Sequence, residues 1–285
     1  MIFDTLTLTG AIYENVTVFK DSQDISNGTI TGVWTSNTLL NCDFTTIYGG
    51  NPAGYDASNV AYVLVKRQKQ GDAEWITLAK IVVNQDPEKL SFEHHDYFAA
   101  HGVKYSYALV DVDLSGNEST YEIQSITSCF NKVFIVDGST SYNLTNATNY
   151  NSFQRNQQTG VYETFGRQYP IVVMNSKLDY YSMTTNAYLI KDNTTNDFDY
   201  IQQKEYIENF AKFLNNKKSK ILKDYNGNIW LISVNGSPTI EPIAELGNSI
   251  AKVSFNWVEI GNANKEDDLK NARIIPVKPI YSQTI

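Results

Sequence analysis

The run YIQQKEYIENFAKFLNNKK at 200–218 is followed almost at once by KILKDYNGNIWLISV at 220–234, and the change of period between them decides the fold of the second half of the chain. In the first run Tyr206, Ile207, Phe210, Ala211, Phe213 and Leu214 recur at three- and four-residue spacing, while Lys204, Glu208, Lys212 and Asn215 take the other side. That is one apolar stripe on a helix over 200–216, and it needs a partner. Asp197 and Asp199 precede the helix where carboxylates favour its start, and Lys212, Lys217 and Lys218 stand where cations favour its end. In the second run Asn226-Gly227 separates two β-prone segments. Both residues accept positive φ cheaply, so the expected connection is a type I′ hairpin turn. The helix should pack on the sheet this hairpin helps to form.

Working outward, the whole chain has a β-rich composition. Its 285 residues include 19 Tyr and are 13% aromatic. Thr, Val and Ile are common, with Asn, Ser and Gly punctuating at short intervals, which predicts short strands joined by turns. A chain of this length buries roughly three quarters of its unfolded surface, and two cores are expected. The formal net charge of -8 arises from scattered carboxylates without a basic stripe, so phosphate-driven nucleic-acid binding is not expected. No apolar run reaches the ~18 residues of a spanning helix, and MIFDTLTLTG lacks the basic and long apolar segments of a signal peptide. The expectation is a protein made in the cytoplasm, with no membrane partner. Cys42 and Cys129 are the only cysteines, too few for a disulfide framework or a structural zinc site.

Residues 1–26 hold two short candidate strands, 5–8 and 16–19, and read as an N-terminal arm that pairs either with the next domain or with a neighbouring subunit. Over 27–130, candidate strands at 30–34, 39–47, 61–69, 74–83, 90–92, 103–114 and 120–127 give about seven, the number of a small β-sandwich. Tyr62, Leu64 and Lys66 alternate with Val63, Val65 and Arg67, and Val103, Tyr105, Tyr107 and Leu109 share one side of VKYSYALVDVD. Half-buried strands are expected there. Trp34 and the segment YSYALVDVDLSGNES at 105–119 resemble a fibronectin type III domain, with the GGNPAGYDASN insertion at 49–59 as a departure. Such modules act mostly as spacers or docking surfaces.

Residues 131–262 form the second expected domain. KVFIVD opens it as a strand, and 138–160 reads as a long polar connection, either a binding loop or a loose one. Further strands follow in VYETFGRQYPIVVMN, with Pro170 at an edge or strand start, and in DYYSMTTNAYLI. The closing strand IAKVSFNWVEI alternates Val253, Phe255 and Trp257 with Lys252, Ser254 and Asn256. Together these predict a small antiparallel β-barrel with one packed helix. Residues 263–285, charged and then broken by Pro276 and Pro279, read as an exposed C-terminal tail.

YPIVVMNSKLDYYSMTTNAYLI, the helix, KSKILKDYNGNIWLISVNGSP and VSFNWVEIGN resemble, in that order, the barrel half of bacteriophage tail and baseplate proteins, and the fibronectin-like module before them has the same relative place. The resemblance covers 27–262 and is most specific at KILKDYNGNIWLISV and SFNWVEIG. It implies a mainly β virion protein, a fibronectin type III-like sandwich plus a tail-tube-like barrel. Such a protein assembles into a homo-oligomeric ring around the tail axis beside other tail or baseplate proteins, and DNA passes its lumen without specific binding.

Candidate chemistry is sparse. Glu93-His94-His95-Asp96, with His101 nearby, is the one concentration of ligand-type residues. On a strand, neighbours point to opposite faces, so no three of them form a ligand set and a solvated loop is the plainer expectation. Carboxylate pairs such as Glu118 with Glu122, or Asp197 with Asp199, stand in turn and cap positions. The G-x-S-x-G, H-E-x-x-H, G-x-G-x-x-G and G-x-x-x-x-G-K motifs do not occur. The expectation is a protein that is not an enzyme and uses no cofactor. A receptor- or carbohydrate-binding protein that grips a cell surface through the fibronectin-like module or the 138–160 loop is the alternative, and Tyr13, Tyr48, Tyr55, Tyr142, Tyr150 and Tyr162, in or near loops, are candidates to stack on sugars or fill a protein interface.

Overall fold

The computed structural model describes residues 12–18, 42–48, 59–85, 96–118, 121–128, 130, 132–138, 140–148, 154–157, 159–173, 177–191, 200–243 and 250–275. The protein is mainly β, built of antiparallel sheets with few helices. The chain divides into two compact units, residues 1–142, 220–230 and 262–285 in the first and residues 143–219 and 231–261 in the second.

In the first unit β1 (Ile12–Val18) pairs with β2 (Cys42–Tyr48) along its whole length, so this part of the N-terminal arm is a strand whose partner lies within the same chain. The candidate strands at 5–8, 30–34 and 90–92, the Trp34 position and the 49–58 part of the insertion lie outside the described residues. A four-stranded sheet follows, in the order β4 (Ile76–Val82), β3 (Val60–Lys69), β5 (Lys104–Asp113), β6 (Glu122–Thr127). Register pairs Val65 with Leu109 and Arg67 with Tyr107 on one face, Leu64 with Val110 and Lys66 with Ala108 on the other.

The two central strands are covered on both faces, not half-buried. Val63, Val65 and Arg67 are buried, and so are Leu64 and Lys66 on the opposite side. Leu64, Ala108, Val110 and Val112 form one cluster under Tyr62, Trp75 and Tyr121, with Trp75 edge-on to Tyr121 at 5.5 Å. The direction of each side chain follows the period of two, but burial follows what packs on each face, which alternation in one strand does not encode.

Also in the first unit, β7 (Val133–Asp137) pairs with β13 (Lys220–Lys223). The β13 turn differs from the expected type I′ connection. Gly227 N–H donates to Asp224 O at 3.3 Å, Asp224 N–H donates to Asn228 O at 3.1 Å, and Gly227 alone of the Asn-Gly pair has positive φ, at 88°. This is a type I turn with a glycine bulge, the three-residue hairpin. Asp224 selects it: its Oδ1 accepts from the Asn226 and Asn228 amides, both at 2.9 Å, and its Oδ2 from Asn228 Nδ2 at 2.7 Å. The same construction recurs in Asp113-Leu114-Ser115-Gly116-Asn117, where Asp113 Oδ1 accepts from the Ser115 and Asn117 amides at 2.8 Å and Gly116 has φ 87°.

The expected exposed tail is, as far as residue 275, neither exposed nor unstructured. Residues Glu266–Asn271 form helix α2, with Leu269 fully buried and Ala263, Ile274 and Ile275 buried around it. Glu266 accepts from the Thr77 amide at 3.1 Å and pairs with Lys270 one turn on. The charges that signalled a tail are the solvent side of a short amphipathic segment. Residues 276–285 lie outside the described residues.

In the second unit β12 (Asp179–Leu189) is the central strand. On one edge it pairs with β15 (Ala251–Gly261) from Ser182↔Val258 to Leu189↔Ala251. On the other it meets β9 (Gln154–Gln157) and then β8 (Thr140–Thr148), a strand that begins in the first unit. Most of the expected polar connection is therefore β-sheet. Leu144 supplies its buried anchor, and Thr, Ser and Asn take six of the other positions beside Tyr142 and Ala147, so apolar alternation does not show there. On β15, Val253, Phe255 and Trp257 are buried, and Trp257 Nε1 donates to the buried Thr185 hydroxyl at 2.9 Å. Strand β14 (Ile229–Pro242) pairs with β15 and runs past Ser237, its register broken between Asn235 and Thr239 at Gly236, φ 76°. Helix α1 (Tyr200–Leu214) buries Phe210, Phe213 and Leu214 and exposes Lys204, Glu208 and Lys212. Gln203, buried, donates to Leu189 O and accepts from Lys191 N, both at 2.7 Å, satisfying backbone groups at the end of β12. Asp197 and Asp199 lie outside the described residues.

Candidate functional site

Of the Glu93–Asp96 run only Asp96 is described, and it is fully buried. Its Oδ1 and Oδ2 accept from Arg67 Nη1 at 3.0 and 2.8 Å, Oδ1 from the Phe98 amide at 2.8 Å, and Oδ2 from the Tyr107 hydroxyl at 2.6 Å. Arg67 lies on β3 opposite Tyr107 of β5, and its guanidinium sits over the Tyr105 ring at 4.9 Å. Burial alone would raise the Asp96 pKa, but the Arg67 charge and three kinds of donor outweigh it and hold the carboxyl below its usual range. Arg67 is likewise pushed up against the opposing effect of burial. Four hydrogen bonds from three partners around one buried carboxylate leave it no open coordination position, and the group acts as a rivet between β3, β5 and the segment that begins at Asp96.

His101 accepts from the Phe130 amide at Nδ1, 2.9 Å, and meets the Phe130 ring edge-on at 5.2 Å. It is a packed, hydrogen-bonded side chain. Nearby, Lys223 is buried, with Nζ donating to Tyr97 O at 2.6 Å and Ala99 O at 3.3 Å and lying 5.0 Å from the Phe130 ring centre. Neither Arg67 nor Lys223 stood out in the sequence, because cations in strands are ordinarily read as solvent-facing.

Glu118 is held by Lys66, whose Nζ approaches both carboxylate oxygens at 2.7 Å, and by the Tyr121 hydroxyl. Burial disfavours the Glu118 carboxylate, but the hydrogen bonds from Lys66 and Tyr121 outweigh it and lower the pKa. It is a paired carboxylate; the side chain of Glu122 lies outside the described ones. Among the described residues no group of three or more His, Cys, Asp or Glu side chains is arranged to hold a metal ion, and no helix is long and apolar enough to cross a membrane.

In the second unit, Arg155 of β9 and Asp179 of β12 form a bidentate exposed pair at 2.7 and 2.5 Å. Glu259 of β15 accepts from the Tyr181 amide at 2.9 Å, and its pKa is raised, first by burial and further by the Asp179 charge.

Of the loop tyrosines, Tyr162 is exposed, Tyr142 is half-buried with its hydroxyl pKa raised by burial, and Tyr13, Tyr48, Tyr55 and Tyr150 lie outside the described side chains. Tyr162 belongs to VYETFGRQYPIVVMN, expected as one strand interrupted at Pro170, which instead folds back on itself as a hairpin. Strands β10 (Gly160–Tyr162) and β11 (Ile171–Val173) form a two-stranded sheet of their own, pairing Val161 with Val172 and Tyr162 with Ile171. Pro170 stands just before β11, where its missing N–H interrupts no ladder. The tip turns at Thr164–Arg167, with Arg167 N donating to Thr164 O at 3.3 Å and Gly166 at φ 88°. Phe165 on this turn is completely exposed, and Tyr169 is 73% exposed. The usable signal was the run of apolar and aromatic residues on either side of a Gly, in strands apolar at adjacent positions.

Compared with known protein families and with curated proteins, the chain matches none.

Proposed function

We propose that this chain is a structural component of a bacteriophage tail or baseplate, assembling with copies of itself into a ring around the tail axis. One observation carries the reading: of the segments that resemble the phage barrel, the long strands β12, β14 and β15 are hydrogen-bonded side by side, β15 pairing β12 from Ser182↔Val258 to Leu189↔Ala251 and pairing β14 from Leu231↔Gly261 to Pro242↔Ala251. Strand β15 is thus paired along both of its edges, the step by which a barrel removes its edges. Mechanical proteins need such closed sheets and rivets like Arg67–Asp96 more than they need a reactive group. Other tail or baseplate proteins are the remaining partners, the virion is the location, and DNA passes the lumen without specific contacts. The formal charge of -8 fits that last role, since carboxylates repel passing phosphates. Native mass spectrometry with negative-stain imaging of the full chain tests the reading. The expected result is a cyclic oligomer with a central opening; monomers at every concentration would overturn it.

A further inference from the structure

We infer that the hairpin formed by β10 and β11 is a strand-addition arm, whose β11 edge pairs with the β10 edge of the next copy of this chain. The inference rests on the ring reading and names the segment that joins the copies.

The two strands carry apolar side chains on both faces. Val161 and Val172 share one face and Tyr162 and Ile171 the other, and they are 61%, 49%, 58% and 36% exposed respectively. A strand pair apolar on both sides is the pattern of a sheet covered on both sides. Nothing among the described residues covers this one, and its two strands pair only with each other. An isolated two-stranded hairpin is marginal in water, and its outer N–H and C=O groups form open edges. With Phe165 and Tyr169 added, the apolar side chains expose on the order of 600 Å².

Geometry and charge choose a second copy as the occupant. Copies related by rotation carry their hairpins in the same sense, so β11 of one copy runs antiparallel to β10 of the next. Repeating the step around a ring leaves no free edge. Glu163 directly follows β10, and Arg167 lies on the β11 side of the tip. The same addition therefore sets Arg167 of one copy beside Glu163 of its neighbour. Neither residue makes an ion pair among the described residues. The tip is neutral, so it does not repel its own copy although the chain carries -8. An anionic membrane is a poorer match for that same charge, and a sugar platform needs several rings on one plane, whereas Tyr162 is the one ring on the paired strands and Phe165 stands on the turn.

The test uses the full chain in sedimentation and native mass measurements over a range of concentrations. Wild type is expected to form rings, and Tyr162→Lys with Val172→Lys to need at least about a hundredfold higher concentration. The melting temperature of the free protomer should not move, because these side chains are exposed. Glu163→Arg and Arg167→Glu should each weaken assembly about fivefold, and the combined swap should restore it. Rings formed equally well by the double lysine variant would overturn the arm while leaving the ring reading standing. A wild type that stays monomeric would remove the ring reading and the arm together. Binding of wild type to a glycan array or to anionic vesicles that the lysine variant loses, with assembly unchanged, would reassign the hairpin to that partner and overturn the inference.

Discussion

Changing Asp96 to Asn removes one charge and almost no volume from a site where both partners are buried, the Arg67 and Asp96 side chains being 1% and 0% exposed. Asn keeps an oxygen for the Phe98 amide, so the loss falls chiefly on Arg67, whose Nη2 already has no hydrogen-bond partner. Stranding a buried cation costs about 3–5 kcal/mol. Against a domain stability of about 5–15 kcal/mol, that should bring the first unit near its unfolding threshold. Urea titration followed by hydrogen exchange of peptides 60–69 and 104–113 reads that unit directly, without assuming that both units melt together. Adding Arg67→Met should recover about 2 kcal/mol, because the stranded charge is gone, and the two changes should be strongly non-additive. The pH dependence fixes the sign. Asp96 has a folded pKa below its unfolded one, so its contribution is complete above about pH 4 and lost as pH falls through the folded value. The deficit of the Asn variant should be constant from about pH 5 to 8 and shrink below about pH 4. A deficit under about 1 kcal/mol at neutral pH, or additive effects of the two changes, would refute the claim that a charge pair rivets these strands.

Other substitutions test separate parts of the argument. Gly116 and Gly227 occupy matched turns at φ 87° and 88°, but a methyl group at Gly227 would meet His101 O at 3.0 Å while one at Gly116 meets nothing within 4 Å. Alanine at either should cost about 1–2 kcal/mol from backbone strain, and Gly227→Ala measurably more in chemical denaturation. Glu259 has a folded pKa above its unfolded one, so the folded state binds more protons in that window and stability falls as pH rises through it. Glu259→Gln should therefore raise the melting temperature at pH 7 and leave it unchanged near pH 4. Phe210, fully buried and stacked on Phe213 at 5.9 Å, should lose about 3–5 kcal/mol as Ala, read by the loss of exchange protection in β12 and β15.

How far these features could be read in the sequence depends on whether one local period determines them. Helix α1 and strand β15 were legible because Phe210, Phe213 and Leu214, and Val253, Phe255 and Trp257, each bury one face, and a single periodicity states which. Strand β8 was not, since its Thr, Ser and Asn residues satisfy a sheet without announcing it and, among its described side chains, Leu144 is the one that is buried. The turn at Asn226-Gly227 was placed correctly and typed wrongly. The dipeptide allows several turns, and Asp224, two residues earlier, is the residue whose carboxylate selects the bulged one. The matching Asp113-Leu114-Ser115-Gly116-Asn117 turn makes that a rule for this chain: Asp at the first position and Asn at the fifth bind each other across the loop, at 2.9 and 2.7 Å in the two cases.

The polar sites were hidden for a different reason. Arg67 and Asp96 are 29 residues apart, and each alone reads as a surface charge; only the strand register that sets Arg67 against Tyr107 reveals that both are inside. The hairpin at 160–173 presents the opposite case, apolar residues in a pattern that implies cover but left exposed in the single chain. Folding within one chain satisfies buried charge by pairing it, whereas the apolar residues of this hairpin stay exposed among the described residues. The arm we propose is the place where those open edges and apolar side chains would meet a second copy of the chain.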